Sequence, residues 1–316
     1  MTAPVLAAPP REHPAELVVA PKRRRGSSIL KTQKRAGWWF LAPALIHSVI
    51  FAVIPSVAVI FLSFTDYSFS PSFNWLGTEN FTDLMADDSF RAAFVNTVIY
   101  AVIVVPVSMA IALLVALALN QRLKGLSFFR TAYYIPTVTA TVAVGVVWLW
   151  IFNPGSGLAN GVLSLFGIGP AAWLLSPTLA LPSLMVIGIW QGIGAKMIIY
   201  LAALQGVPAQ LIEAAKIDGA NKWTLFWNVT WPSIAPAQFF VLITSIVSTF
   251  QVFDLVYVTT RGGPGVATNV LVFDIYNNAF QSLHLGYASA ETVIMMLLIG
   301  AFIVIGRRLQ GANDLG

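Results

Sequence analysis

Six long apolar stretches alternate with shorter polar segments along the chain. A helix needs about 20 apolar residues to cross the hydrocarbon core of a bilayer, and each stretch has about that length. The pattern therefore predicts an all-α integral membrane protein with six transmembrane helices. The predicted spans are residues 38–64, 92–119, 134–152, 179–204, 237–258 and 287–306.

The composition agrees with a membrane protein. Of the 316 residues, 57% are hydrophobic and 10% are charged, whereas about a quarter of the residues in a soluble domain are charged. The net charge of +5 would also suit a nucleic-acid binder, but the basic residues lie at the ends of the spans and form no basic face. The chain has no cysteine, which excludes disulfides and thiolate chemistry.

The distribution of lysine and arginine predicts the orientation of the spans. Cytoplasmic loops carry an excess of basic residues. With a cytoplasmic N-terminus, almost all of the 18 basic residues fall inside. Only Arg91 and Arg261 fall outside, and Lys196 lies within a span. Both termini are therefore predicted to be cytoplasmic, and so is the polar loop at residues 205–236.

The two ends of the chain are predicted to be tails around a transmembrane domain at residues 37–308. Residues 1–36 are rich in proline and basic residues, and no apolar run precedes them, so we expect a disordered cytoplasmic tail and no cleavable signal peptide. A site for anionic lipid or for a partner in this tail remains an alternative. Residues 309–316 are expected to form a short cytoplasmic tail.

Motifs for nucleotide binding and for catalysis are missing from the sequence. The chain contains neither G-x-x-x-x-G-K-[ST] nor H-E-x-x-H. Its three histidines, His13, His47 and His284, are far apart in the sequence and at different topological levels. The run GSGLANG at 155–161 is predicted to be a flexible outer loop. We therefore expect no catalytic, cofactor-binding or metal-binding residues in this chain.

The loop at residues 205–236 has the pattern of two short helices joined by a tight turn. Pro208 precedes the good helix formers LIEAAKI, and Gly219 allows a sharp bend after them. Asp218 is expected to cap the second helix. That helix carries Trp223 and Trp227 on an apolar side. The loop is either an interfacial amphipathic linker or an element that docks into a partner.

This loop resembles the EAA motif of binding-protein-dependent ABC importer permeases. The resemblance rests on EAAKIDGANKW and on the longer run AALQGVPAQLIEAAKIDGANKWTLFWNVTWPSIAP, which is similar to the carbohydrate-uptake branch of maltose and glycerol-3-phosphate type. That branch usually has leucine where Trp231 stands. FFRTAYYIP, VFDLVYVTTRGGP and LGYASA agree with it, so the resemblance covers about residues 36–308. It implies the transmembrane domain of a type I ABC importer.

The resemblance also implies partners and a mechanism. In this family the EAA loop docks into a groove on a cytosolic ATPase, which binds ATP, so this chain would need no cofactor of its own. Two homologous permeases, usually a heterodimer, pair above two ATPase subunits in a prokaryotic inner or plasma membrane. An extracytoplasmic solute-binding protein or lipoprotein delivers the solute. The implied docking residues are Glu213, Ala214, Ala215, Asp218 and Gly219.

The fourth and fifth predicted spans each carry small and polar residues along one face. The residues of the fifth span are spaced i, i+3, i+4, i+7, as one helical face requires. Ordinary helix packing also uses small and hydroxyl residues, so both explanations remain open. The resemblance places sugar-contacting positions at Gln191, Gly192, Ala195, Ser245, Ser248, Thr249 and Val252.

Two charged residues inside predicted spans need partners, because a charge within the bilayer is costly. Lys196 lies beside the predicted solute path and would pair with Asp254, with an acid on the partner permease, or with an acidic solute. Glu291 is expected to face the outer interface or the companion subunit.

These observations favour one function and leave one alternative. The favoured function is a permease subunit that forms the translocation path for a sugar or related polyol and is coupled through the EAA loop to a cytosolic ATPase. The alternative is a secondary, ion-coupled transporter, for which only Asp254 and Glu291 could serve as coupling acids. A membrane enzyme is disfavoured, since no catalytic constellation is present.

Overall fold

The computed structural model describes residues 26–70, 72–121 and 125–311, with side chains for those between 37 and 308. The predictions for residues 1–25 and 312–316 lie outside the described residues. The first helix begins at Gly26, within the segment predicted as a tail. The disorder of that tail stays a prediction.

The described part of the chain is helical. One isolated antiparallel bridge, between Thr65 and Trp75, is the exception to this pattern in the residues the structure describes. The α-helices are α1 (Gly26–Ser48), α2 (Ile54–Leu62), α3 (Glu79–Ala86), α4 (Asp88–Leu119), α5 (Leu126–Val138), α6 (Thr141–Ile151), α7 (Leu158–Leu165), α8 (Ala180–Gln205), α9 (Ala209–Ile217), α10 (Lys222–Leu225), α11 (Trp231–Ser233), α12 (Ala235–Phe250), α13 (Asp254–Thr259), α14 (Leu271–Tyr276) and α15 (Leu285–Gly311).

The chain divides into two compact units, Met1–Pro55 and Ser56–Gly316. In the first unit, α1 leads into a π-helical turn at Val49–Val53. The side chains of this unit that the structure describes are largely exposed, including Trp39 and Phe40. An apolar helix with no buried face in its own chain is typical of a surface covered by lipid or by another subunit.

Among the residues that the structure describes, five apolar segments are long enough to cross a membrane, and they match five of the six predicted spans. The predicted span at 134–152 is instead the pair α5 and α6, which meet at an angle of 100°. Pro136 lies in the last turn of α5, Thr139 after it has an extended backbone, and Ala140 has a non-helical ψ of 129°. If the pair is one broken span, the total is six.

The second unit is organised around α4 and α8, which pack along each other, while α5 packs on α8 and α12 packs on α4 and α15. Small residues allow this close approach. Ala112 and Ala116 of α4 are fully buried, and a Cβ atom at Gly194 would overlap the backbone carbonyl of Tyr133 in α5. Close van der Waals packing of this kind holds membrane helices together, because lipid tails are as apolar as the side chains themselves.

Candidate functional site

A polar cavity of about 300 Å³ lies between α8 and the junction of α12 with α13. Tyr100 of α4 and the ends of α5 and α6 complete its wall. Two of the predicted path residues, Ala195 and Ser245, do not line the cavity. The predicted path residues that do are Gln191, Gly192, Lys196, Ser248, Thr249 and Val252.

Gln191 connects α8 to the bend between α5 and α6. Its Nε2 donates to Thr141 Oγ1 at 3.2 Å, and Thr137 Oγ1 donates to its backbone oxygen at 2.8 Å. The bend therefore places two threonine hydroxyls at the cavity. Gln191 therefore bonds α8 to this bend and also lines the cavity.

Lys196 lies in the cavity wall with its side chain folded back along α8. Its Nζ donates to the backbone oxygen of Gly192 at 3.2 Å. Asp254 lines the same cavity, but the ion pair considered for these two residues is not formed. Within the described ranges the one ion pair is Arg91 with Asp88. The cavity thus holds a cation and a carboxylate that are not paired with each other.

The residues of α12 divide between the cavity and the core. Ser248 Oγ donates to the backbone oxygen of Ser245 at 3.0 Å, and Thr249 is buried beside it. Ser245 is 2% exposed and its Oγ has no hydrogen-bond partner among the residues described. The cavity wall offers hydroxyl, amide, ammonium and carboxylate groups, which suit a small polar solute.

Several cavity residues were not identified from the sequence. These residues are Tyr100, Thr137, Thr141 and Gln251. The one available signal in the sequence was a polar residue within an apolar span. Tyr100 and Gln251 were detectable by that signal. The two threonines were not, because only the bend between α5 and α6 brings them to α8.

The loop after α8 forms the predicted helix–turn–helix. Gly219 has a φ of +81°, in the left-handed region that glycine adopts without strain. The backbone nitrogen of Ala220 donates to the oxygen of Ala215 at 2.9 Å and closes the end of α9. The predicted cap is wrong: Asn221, not Asp218, caps α10, with Oδ1 accepting from Thr224 N at 2.9 Å. A cap must directly precede its helix, and α10 begins at Lys222.

The predicted docking residues lie on an accessible face of this loop. Glu213, Ala214, Asp218 and Gly219 are exposed and Ala215 is half-buried. Ile217 is 86% exposed, which is unusual for a large aliphatic side chain. In the following segment, the ring of Trp227 packs against those of Trp223 and Trp231.

A second cavity, of about 490 Å³, lies beside the N-terminal ends of α4 and α15. Asp66, Asp83, Asp87 and His284 contribute to its lining. Asp66 is exposed, and hydrogen bonds from the backbone and side chain of Asn74 hold the pKa of its carboxyl below the usual value. We call this space the acidic cavity.

Glu291 does not face an outer interface. It is fully buried within this chain, where Asn278 Nδ2 donates to its Oε1 at 2.9 Å. The expectation that it faces a companion subunit is therefore wrong. Within the described ranges, no group of three or more acidic and histidine side chains is arranged to hold a metal ion.

Several of the described helices are long and apolar enough to cross a membrane, and they enclose a polar cavity. A family model for "binding-protein-dependent transport system inner membrane component" matches residues 28–312, and the chain belongs to that family. It is therefore an inner-membrane component of a transport system.

The chain is 34% identical over 284 residues to the probable ABC transporter permease protein YesP of Bacillus subtilis (strain 168), covering 88% of this chain and 91% of that protein. It is also 34% identical over 276 residues to the sn-glycerol-3-phosphate transport system permease protein UgpA of Agrobacterium fabrum, covering 86% and 93%. Its fold is similar to that of a chain in the crystal structure of a bacterial alginate ABC transporter in complex with an alginate pentasaccharide-bound periplasmic protein. That match has a TM-score of 0.77 and 22% identity, and it covers 89% of this chain and 98% of that one.

Proposed function

We propose that this chain is a permease subunit of an ABC importer and forms part of the translocation path for a sugar or related polyol. The observation that carries this proposal is the polar cavity of about 300 Å³ between α8 and the α12–α13 junction. Its hydroxyl and amide groups, such as Thr141 and Gln191, offer the short hydrogen bonds that a polyol requires. The similarity to a glycerol-3-phosphate permease supports the same class of solute.

One of the two candidate coupling acids, Glu291, does not line the cavity, which favours this function over ion-coupled secondary transport. A secondary transporter would carry its coupling acids in the path. Of the two candidate acids, Asp254 lines the cavity, while Glu291 is buried in a separate hydrogen-bond network near the acidic cavity. The family match also supports an energy source outside this chain.

The exposed loop of α9 and α10 is the proposed docking element for a cytosolic ATPase. The small residues Ala214 and Ala215 would allow close approach, Gly219 would set the bend, and Glu213 would make a polar contact. ATP binding to the partner drives transport only if it favours one permease conformation over another. In this arrangement both termini are cytoplasmic.

The exposed apolar surface of α1 suits lipid or a second, homologous permease. A heterodimer of two permeases, two ATPase subunits and an extracytoplasmic solute-binding protein or lipoprotein complete the proposed assembly. The acidic cavity lies at the end of the unit that would face the binding protein.

Reconstitution with and without the ATPase tests this proposal. Solute uptake into proteoliposomes is expected only when ATPase, ATP and the binding protein are all present. Glu213→Lys and Gly219→Asp should each lose co-purification with the ATPase. Glu79→Lys is the matched control, because it reverses an exposed charge on α3 and should retain the ATPase.

Two results would contradict the proposal. Uptake by this chain without any ATPase would favour secondary transport. Full ATPase binding and uptake in both loop variants would remove the docking role of α9 and α10.

A further inference from the structure

Two carboxyl groups are buried side by side next to the acidic cavity. Glu291 on α15 is 0% exposed and Asp274 on α14 is 5% exposed. Burying an ionised carboxylate costs several kcal/mol even after relaxation, unless a cation or several hydrogen bonds compensate. These two side chains therefore need a specific source of stabilisation.

The hydrogen bonds around the pair satisfy only one oxygen of each carboxyl. Asp274 Oδ1 accepts from Asn269 Nδ2 at 2.8 Å and from Ser89 Oγ at 3.1 Å. Glu291 Oε1 accepts from Asn278 Nδ2 at 2.9 Å. The other two oxygens, Asp274 Oδ2 and Glu291 Oε2, are buried without a hydrogen-bond partner among the residues described.

The described side chains around Asp274 and Glu291 supply further negative charge and no paired cation. The carboxyl groups of Glu291 and Asp274 are within hydrogen-bonding reach of each other, and Asp87 is close enough to act on Glu291 electrostatically. Asp87 Oδ2 itself accepts from Tyr287 at 2.7 Å. Within the described ranges, no side-chain nitrogen of a lysine, arginine or histidine lies within 4.0 Å of a carboxylate oxygen of these three acids.

The other titratable groups nearby also supply no compensating contact. Asp66, Asp83 and His284 line the acidic cavity together with Asp87. Arg91 at the start of α4 is directed to Asp88 on an exposed surface. The pair is therefore enclosed by acids and by the neutral donors that one oxygen of each carboxyl already uses.

We propose that Asp274 and Glu291 bind one proton between them at neutral pH. The shared proton supplies the donor that both unpartnered oxygens lack, and it removes one of two charges that cannot both be ionised at such close range. The site is a carboxyl–carboxylate pair whose ligand is a proton. It does not depend on the identity of the transported solute.

This proton links α14 and α15 at the end of the molecule that holds the acidic cavity. The unfolded chain would not bind it at neutral pH, because free Asp and Glu ionise near pH 4. The folded state then binds more protons than the unfolded state, so its stability falls as pH rises. Above the pH at which the pair releases its proton, repulsion between two carboxylates would separate the helices.

Infrared spectroscopy of the purified full chain in an ester-free detergent tests the proposal. The wild type should show the C=O stretch of a protonated carboxyl at pH 7, with a shift in D₂O. Glu291→Gln and Asp274→Asn should each lose this band, because the new amide donates the hydrogen bond that the proton provided. The exposed Asp83→Asn is the matched control and should keep the band.

Thermal unfolding between pH 6 and pH 9 gives an independent readout. The wild type should lose stability as pH rises, and Glu291→Gln should lose this dependence. Absence of the band in the wild type at pH 7, or its persistence in both amide variants, would overturn the proposal. So would stabilisation of the wild type, but not of Glu291→Gln, by Na⁺ or K⁺, because a bound metal cation would then occupy the site.

Discussion

Lys196 Nζ donates a hydrogen bond to the backbone oxygen of Gly192, 3.2 Å away and one turn earlier in α8. The absence of a side chain at Gly192 makes room for this arrangement, since a Cβ atom there would lie 2.7 Å from Nζ. The ammonium group is thus held at the cavity wall by a neutral acceptor. Asp254 lines the same cavity without pairing with it.

The ammonium group of Lys196 has no ion-pair partner among the described residues and should recognise an anionic solute. Lys196→Met is expected to reduce uptake of acidic or phosphorylated sugars roughly 10- to 100-fold, because a hydrogen bond to a charged group contributes about 1.5–3 kcal/mol. Uptake of neutral sugars should change little. The measurement is ATP-driven uptake in proteoliposomes with binding proteins loaded with each kind of solute.

Lys196→Arg is the control for this experiment, because it keeps the charge and should retain most uptake of anionic solutes. An equal loss for neutral and anionic solutes in Lys196→Met would instead assign the lysine a structural role.

The contact between α4 and α8 should be sensitive to added volume at Gly188. A Cβ atom at this position would overlap the hydroxyl oxygen of Tyr100 and lie 3.2 Å from its Cζ. Tyr100 is buried and its ring is rigid, so Gly188→Ala should destabilise the chain by about 1–3 kcal/mol. Thermal unfolding in detergent measures this loss.

Gly300→Ala on α15 is the matched control, since nothing lies within 4 Å of a Cβ atom there. It should be neutral or slightly stabilising. Equal stability of the two alanine variants would show that α4 and α8 are packed less closely than the structure indicates.

Gly219 should be required because of its backbone conformation, and less because a side chain at this position would clash with a neighbour. Its φ of +81° costs an alanine roughly 1–2 kcal/mol, although a Cβ atom there meets nothing within 4 Å. Gly219→Ala is expected to increase hydrogen exchange across α9 and α10. Gly219→Asn should be milder, because asparagine adopts this conformation more readily. Identical exchange in both variants and the wild type would argue against this turn geometry.

Asn160 fixes the loop between α6 and α8. Its Nδ2 donates to Pro154 O at 2.9 Å and to Ala171 O at 3.0 Å. Its Oδ1 accepts from Ala171 N at 3.0 Å and from Trp173 Nε1 at 2.8 Å. Asn160→Ala leaves these part-buried groups without their partner and should destabilise the loop by roughly 1–3 kcal/mol.

Hydrogen exchange of residues 153–178 measures this effect. Ser164→Ala in the same helix is the control, because Ser164 is exposed and makes one local bond, to Gly161 O at 2.7 Å. Protection of the loop in Asn160→Ala equal to that of the control would contradict the role of Asn160.

The sequence predicts the positions of the membrane spans well. It does not predict that the third span is divided into two helices, α5 and α6. Hydropathy measures how apolar a segment is, and the run through residues 134–152 is apolar on both sides of Thr139 and Ala140. The 100° angle there depends on backbone conformation at two residues. Pro136 marked a disturbance, but many membrane helices contain proline without such a bend.

Part of the candidate site was predictable from the sequence, because polar residues recur along one face of a helix. The helical periodicity of α8 and α12 identified most of the polar face now found at the cavity. The position of Glu291 was not predictable, because its contacts with Asn278 and Asp274 depend on how the preceding helices fold back on α15. The cap at Asn221 was missed because a capping residue must directly precede its helix. The first residue of a short helix cannot be predicted that accurately from sequence.

Helix α4 is longer than the membrane is thick. Its 32 residues extend about 48 Å at 1.5 Å per residue, whereas the hydrocarbon core measures roughly 30 Å. At one end its N-cap Asp87 is bonded to Tyr287, and at the other Arg130 Nη2 donates to Leu119 O at 3.1 Å. A shift of α4 at one surface of the bilayer would therefore be transmitted to the opposite surface through one continuous helix, because no loop interrupts it.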